Sequence, residues 1–247
     1  MLSVWAQDYP EVEYIIIDGG STDGTLDIIR RHEDKLAVWV SEPDRGISDA
    51  FNKGIAKSTG HLVGILNADD WYEPQSISRA VQAFLDGAEV IHGNQQYWLP
   101  DGQGGVIKDF TFTANQSKLS LEMTLNHPTV FVARQVYEEM GLFRLDMRYA
   151  MDYELMLRFW LGGKKFVHIP SIQANMQLDG ASDQNWPKAY YESYQAKRLN
   201  GIGWGSAYPY YLKMMIRTTV ARLLPRLGLG AVLIWFRSKF ALTAKTK

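Results

Sequence analysis

The sequence predicts an α/β protein, a mostly parallel sheet with flanking helices followed by a helical, basic C-terminal region. Two observations carry this. Buried-strand and amphipathic-helix patterns alternate from Tyr14 to His92, the order that builds parallel strands joined by helical crossovers. The charge also divides: from Ser193 onward there are ten Lys or Arg and no acid, leaving 16 basic against 27 acidic side chains before it. At 247 residues the chain can bury a good core, as one domain or as one plus an appendage. It has no cysteine, which excludes disulfides and thiolate metal sites.

Tyr14-Ile15-Ile16-Ile17-Asp18 reads as a buried strand. The turn from Gly19 to Thr25 leads into a helix carrying Leu26, Ile28 and Ile29. That turn looks like a phosphate cradle, but its spacing matches neither the Walker nor the dinucleotide fingerprint. Helix capping explains Ser21, Thr22 and Asp23; it does not explain Asp18. Leu36 to Val40 is the next strand, and Glu42-Pro43-Asp44-Arg45-Gly46 is a polar turn. Ser48 can cap the helix that follows, with Ile47, Phe51 and Ile55 on its apolar side.

Leu62 to Leu66 carries no charge and reads as a strand buried on both faces, central in the sheet. It runs into Asp69-Asp70, and Pro74 then opens an amphipathic helix through Ile77, Ala80, Val81, Phe84 and Leu85. Carboxylates just beyond the carboxyl end of a buried strand lie where open α/β sheets place ligands. Two acids this close persist most comfortably beside a cation, and with oxygen ligands Mg²⁺ or Mn²⁺ is the natural one. Capping of the next helix is the alternative.

Ala88 to His92 is a strand, after which the pattern changes. Gln96 to Leu99 and Val106 to Phe112 flank Pro100-Asp101-Gly102 as a hairpin. Thr129 to Ala133 is a further strand and Arg134 to Met140 a short helix. Met151-Asp152-Tyr153-Glu154 opens a helix closed by Gly162-Gly163, and Phe166 to Ile169 is the last clear strand. From Pro187 the chain looks helical and tyrosine-rich, with Pro209 and Pro225 breaking the remainder into short pieces. There Lys213, Arg217, Arg222 and Arg226 do not share one helical face. No stretch reaches the roughly 20 apolar residues of a membrane span. Met1 to Trp5 has neither a basic n-region nor a long apolar core, so it does not read as a signal peptide. A basic tail on an acidic body points to an anionic surface, membrane or nucleic acid.

Four motifs in order carry a resemblance: Ser3-Val4-Trp5-Ala6-Gln7-Asp8-Tyr9-Pro10, the run from Asp18 to Thr25, the run from Glu42 to Gly54, and Asn67-Ala68-Asp69-Asp70. With them the chain resembles the family 2 glycosyltransferases of the GT-A (Rossmann-like) fold, over roughly Ser3 to Ser182. The third motif is similar to a subgroup that builds bacterial surface polysaccharides and O-antigens.

The resemblance implies an inverting transfer from a nucleotide-sugar, a UDP-sugar in the first instance, to a glycan or lipid-linked glycan. It implies Mg²⁺ or Mn²⁺ as cofactor. Asp18 would hydrogen-bond the nucleotide base, Asp44 joins the donor-binding set, and Asn67-Ala68-Asp69 takes the Asp-x-Asp position. Asn67 could then accept from a ribose hydroxyl, Asp69 would ligate the metal, and Asp70 would be a further ligand or a group behind it. Asp152 falls at the catalytic base, with Glu154 as its understudy. His127 is either an acceptor contact or a core histidine. Gly180-Ala181-Ser182 resembles a loop near the diphosphate, with Asp179 in place of its first glycine. Gln195-Ala196-Lys197-Arg198-Leu199 is similar to the Gln-x-x-Arg-Trp of processive synthases but lacks the tryptophan, and reads as coincidence.

The expected division is a glycosyltransferase-like domain at 1–183 and a helical, basic region at 184–247, whose charge makes the inner face of the plasma membrane a candidate partner, in a cytoplasmic protein that does not bind nucleic acid. One departure stands out. The family begins with a strand and nucleotide-gripping turn that would lie between the strands of Asp18 and Asp69, and this chain starts beyond it. The expectation is a truncated domain with two exposed sheet edges. A catalytically inactive remnant that binds sugar or membrane is the alternative function. A nucleotidyltransferase lacks its glycine- and lysine-rich start here.

Overall fold

The structure, a computed structural model, describes residues 1–100, 105–177 and 185–227. In chain order the elements are α1 (Leu2–Trp5), β1 (Ile15–Asp18), α2 (Thr25–Arg31), β2 (Val38–Ser41), α3 (Ile47–Lys57), β3 (Leu62–Gly64), β4 (Trp71–Tyr72) and α4 (Ser76–Leu85). There follow β5 (Val90–Pro100), β6 (Val106–Phe112), β7 (Phe131–Ala133), α5 (Arg134–Met140), α6 (Met151–Leu161), β8 (Phe166–Gln177), α7 (Trp186–Leu199) and α8 (Trp204–Arg226). The strands and helices expected from Tyr14 to Ile169 are all present, with shifted ends.

The strands make two sheets. β1 and β2 pair in parallel by themselves. The other six form a second sheet in the order β3-β7-β5-β8-β4, with β6 hydrogen-bonded to β5. β3 and β5 run the same way, as alternation with helices requires, but β7 lies between them and is antiparallel to both. β8 is parallel to β5, and β4 antiparallel to β8. The βα segment therefore sets the direction of its strands but not their neighbours.

Two expectations need correcting here. The strand ahead of the acid pair is at the edge of its sheet, not its centre, and its residues are half-buried or exposed rather than buried on both faces. An uncharged run of four or five residues has the same pattern in either setting. The expected hairpin forms, but its first strand is continuous with the one before it, bending through register shifts near Asn94.

Among the described residues no strand pairs with the open edges of β1 and β3. At this side the Glu13 carboxylate bridges the sheets, accepting from the backbone N–H of Thr59 (2.7 Å) and Gly60 (3.2 Å), and Val12 and Tyr14 share an apolar cluster with Leu62 and Leu66. The larger sheet carries the main core, where Val90, Leu119, Leu155 and Phe159 pack with Val132 and Val136. Each such side chain taken fully from water is worth about 1.5–3 kcal/mol.

Pro209 and Pro225 do not break the C-terminal segment, since α8 runs unbroken across Pro209 and takes Pro225 into its last turn. Pro209 is six residues into the helix and forfeits one backbone bond, at a cost of about 3 kcal/mol. Ring contacts offset it: Tyr208 lies 5.4 Å from Trp204 and 6.1 Å from Tyr194 of α7, and Tyr211 lies 5.6 Å from Tyr194. No helix among the described residues is long and apolar enough to cross a membrane.

Candidate active site

Asp18 ends β1 in a buried position. Its Oδ2 accepts from the backbone N–H of Gly20 and Ser21 (both 3.0 Å) and from the Ser41 hydroxyl (2.6 Å) at the end of β2. Burial alone would raise its pKa, but the bonds from Ser21, Ser41 and Gly20 outweigh it and hold the carboxyl at about 2. Asp44, in the turn after β2, lies against this loop. A Cβ on Gly19 would meet the Asp44 Oδ2 at 2.5 Å, so the Asp44 carboxylate lies directly against the turn after β1 and would have to shift for any side chain there. Asp44 Oδ1 also accepts from Gly46 N–H (2.8 Å). Asp18 and Asp44 thus form one anionic rim over the carboxyl ends of β1 and β2.

The acid pair is held by the first motif of the chain. Gln7 donates to the Glu73 carbonyl (2.8 Å) and accepts from Ile77 N–H (3.0 Å), capping the first turn of α4. Tyr72 N–H donates to the Ser3 hydroxyl (3.3 Å). These bonds hold the segment that follows Asp69-Asp70, which gives the Ser-x-x-x-Gln spacing a structural reason. At Gly64 a Cβ would stand 2.6 Å from the Phe131 ring and 2.9 Å from the Tyr72 hydroxyl, so close packing of β3, β4 and β7 excludes any side chain.

Asp69 is exposed. Asp70 is only 6 % exposed, and its Oδ2 accepts from the Asn67 amide (3.0 Å) while its Oδ1 is buried without a partner. Burial and then the neighbouring Asp69 push its pKa up to about 7, with the Asn67 bond pulling the other way. An orphaned carboxylate oxygen beside a second acid fits a hard divalent cation. Among the described residues no three His, Asp or Glu come together to hold a metal ion, so this chain would supply two carboxylates and the ligand the rest.

Asp152 is the second residue of α6, whose N-cap is Ala150, and its Oδ1 takes the Tyr153 N–H (2.7 Å). Burial raises its pKa to about 6, its bonds to Tyr153 N–H and its own N–H lower it, and Glu192 raises it. Tyr97 of β5 lies in the electrostatic field of both acids. Its phenol donates to Asn126 Oδ1 (3.0 Å) and is pushed up to about 12 by burial, then by Asp70 and Asp152. The Asn126 amide nitrogen has no partner and is buried at this place.

Other candidates sort differently. Glu154 is buried and bound by Arg158 (2.9 Å) one turn on and by Asn200 (3.2 Å) after α7, so its carboxylate is engaged in holding α6. His127 stacks on Phe51 (5.0 Å) and meets Phe143 edge-on (5.6 Å), with its pKa lowered to about 4 by burial. It is a packed histidine. Asp179 and Gly180 to Ser182 lie outside the described residues. Gln195 and Arg198 of α7 border a shallow cavity of about 310 Å³ with Arg144 and Asp146.

Sequence reasoning missed Tyr97 and the pair Trp71 and Trp98, whose rings lie 5.8 Å apart beside the acids. The Trp98 indole N–H is fixed by Asn175 (2.7 Å), and that amide by Glu73 (2.7 Å). The one signal for Trp71 was its place directly after Asp70.

Comparison with known proteins agrees with this architecture. The family model described as glycosyl transferase family 2 matches residues 1–141. Glycosyltransferase AglE of Haloferax volcanii is 30% identical over 149 residues, which are 57% of this chain and 49% of that protein. Hyaluronan synthase of Pasteurella multocida is 27% identical over 180 residues, 70% of this chain and 18% of that protein. The chain therefore spans about half the length of AglE and much less of the synthase. Among solved structures, S. aureus TarS 1-349 in complex with UDP-GlcNAc superposes with a TM-score of 0.61 at 18% identity, covering 81% of this chain and 60% of that one. The mannosyltransferase PcManGT from Pyrobaculum calidifontis, in complex with GDP-Man and Mn²⁺, gives 0.61 at 17%, covering 95% and 74%. The fold is GT-A, and the chain belongs to glycosyl transferase family 2.

Proposed function

We propose that the chain moves a sugar from a nucleotide-sugar, a UDP-sugar in the first instance, onto a hydroxyl of a glycan or lipid-linked glycan, with inversion at the anomeric carbon. The partnerless buried oxygen of Asp70 beside Asp69 carries this reading, together with the raised pKa of Asp152. The first is suited to a cation and the second to a proton. Asp152, with a pKa of about 6, is ionised at neutral pH yet basic enough to take the acceptor proton as its oxygen attacks the anomeric carbon. The bond to the diphosphate breaks, and its electron pair leaves with the nucleoside diphosphate. Mg²⁺ or Mn²⁺ held by Asp69 with Asp70 would supply positive charge against that leaving group. Asp18 and Asp44 would take the nucleoside, Asn67 the ribose, and Trp71 with Trp98 an apolar sugar face.

TarS with UDP-GlcNAc and PcManGT with GDP-Man and Mn²⁺ support the donor and metal classes. The test is to incubate the chain with UDP- and GDP-sugars, with and without Mn²⁺, and identify glycosylated product by mass spectrometry. Transfer that needs Asp152 supports the reading; product formed equally by Asp152→Asn removes it.

The basic region is read as a contact with the inner, anionic face of the plasma membrane. Leu212, Ile216, Leu223 and Leu227 are exposed and share one face of the helical path of α8. No acid occurs from Ser193 onward to oppose anionic lipid. Sedimentation with anionic vesicles, released at high salt, is the expected result. Binding that survives replacement of Leu212, Ile216 and Leu223 by Glu would end this reading.

A further inference from the structure

α7 reaches the candidate active site through one carboxylate. Glu192 Oε2 accepts three successive backbone N–H groups at the start of α6, from Arg148 (3.0 Å), Tyr149 (2.6 Å) and Ala150 (2.9 Å). Ala150 is the N-cap of α6 and Arg148 and Tyr149 directly precede it, so one carboxylate ties down the segment that enters the helix. The same α7 buries Ala196 against Met147, Ala150, Tyr153 and Leu157, so the carboxylate is delivered by a packed element. Asp152 sits two residues beyond the last of these amides.

We propose that Glu192 is a positioning residue for Asp152, fixing the start of α6 and cancelling the positive end of that helix where Asp152 must act as a base. This rests on the reading of Asp152 given above. Three N–H dipoles aimed at one carboxylate hold the 148–150 backbone in a single conformation, and charge-assisted bonds of this kind are about twice as strong as neutral ones. Left open, the same amides and the helix dipole would favour ionised Asp152 and weaken it as a base. The Glu192 charge adds repulsion in the same direction. Among the described residues, the titratable groups that act on or respond to Asp152 are Glu192 from α7 and Tyr97 from β5.

The experiment needs no substrate. The side-chain carboxyls of the full chain are followed by ¹³C NMR against pH, and Asp152 is assigned by the signal lost in Asp152→Asn. Glu192→Gln keeps an acceptor oxygen but removes the charge, and should move the Asp152 midpoint down by about 0.5 pH or more. Glu192→Ala removes both, and should speed hydrogen exchange of the Tyr149 and Ala150 amides at least about tenfold. Glu192→Asp serves if the alanine variant does not fold, and should give intermediate exchange. An unmoved midpoint in Glu192→Gln, or Tyr149 and Ala150 amides protected as in wild type in the alanine (or, failing that, aspartate) variant, overturns the proposal. If the midpoint moves but Asp152→Asn retains transfer, the base assignment fails while the contact of Glu192 with α6 stands.

Discussion

The two sheets are made from the same kind of strand and live in different surroundings. β1 and β2 have half-buried strands, pair with each other alone, and present Asp18 and Asp44 at their carboxyl ends. The larger sheet carries the main core and, around it, Asp69, Asp70, Tyr97 and Asp152. Asp18 is held strongly acidic by three donors to one oxygen, whereas Asp70 and Asp152 are pushed toward neutrality by burial. The lesson is a division of labour: the small sheet holds an acidic rim, and the large one holds the acids proposed to exchange a cation or a proton.

The largest expected effect falls on the acid pair. Asp69→Asn should abolish transfer and Mn²⁺-dependent UDP binding, because a neutral amide is a much poorer ligand for a hard cation. Asp70→Asn should do less harm. Titration calorimetry that finds metal-dependent UDP binding intact in Asp69→Asn would move the metal away from this loop.

Next is the proton. Asp152→Asn should leave UDP affinity near wild type and lower turnover about 10² to 10⁴-fold. Glu154→Gln should act through stability, since Glu154 is tied to Arg158 and Asn200. If Glu154→Gln loses as much turnover at unchanged fold, the two roles are reversed.

The division also predicts unequal rigidity. Amides of β1 and β2 should exchange at least about a hundredfold faster than those of β5 and β8, because a two-stranded pair with open edges opens locally at little cost. A chain extended by roughly 30 residues, one strand and a crossover helix, should raise both that protection and UDP affinity if the strand enters between β1 and β3. Unchanged values would show the open edges to be complete as they are.

The smallest effect is on stability. Asp152 has a folded pKa of about 6 against an ordinary 3.8, so the native state binds its proton more tightly than the unfolded chain does. Stability from this group is greatest below pH 3.8 and is lost as pH rises through about 6, by up to about 3 kcal/mol. Asp152→Asn should therefore raise Tm at pH 8 and leave it unchanged near pH 3. A lower Tm at pH 8 would mean that the charged carboxylate is stabilising.

Much of this was legible in the residues. The βα alternation, the hairpin, the position of Asp18 at a strand end and the Asp69-Asp70 tip all follow from local pattern, and the structure has them. What local pattern does not contain is who the neighbours are. β3 looks the same at an edge as in a centre, and the proline rule failed at Pro209, where the flanking Tyr208 packs on Tyr194 of another helix. Tyr97 has no motif of its own. It matters because the fold puts it in the field of two acids supplied from 27 residues before it and 55 after it.

The insertion of β7 between β3 and β5 also orders events in time. Leu62 pairs with Ala133 and Gly64 with Phe131, so the strand that carries the acid pair has no sheet partner until some 70 further residues exist. β4, directly after the acids, waits longer, since Trp71 pairs with Asn175. Contacts this far apart in sequence form slowly, because a large loop must close before they contribute. On the ribosome, the acid tip thus emerges long before the strands that seat it, and it spends the interval as an unpaired edge.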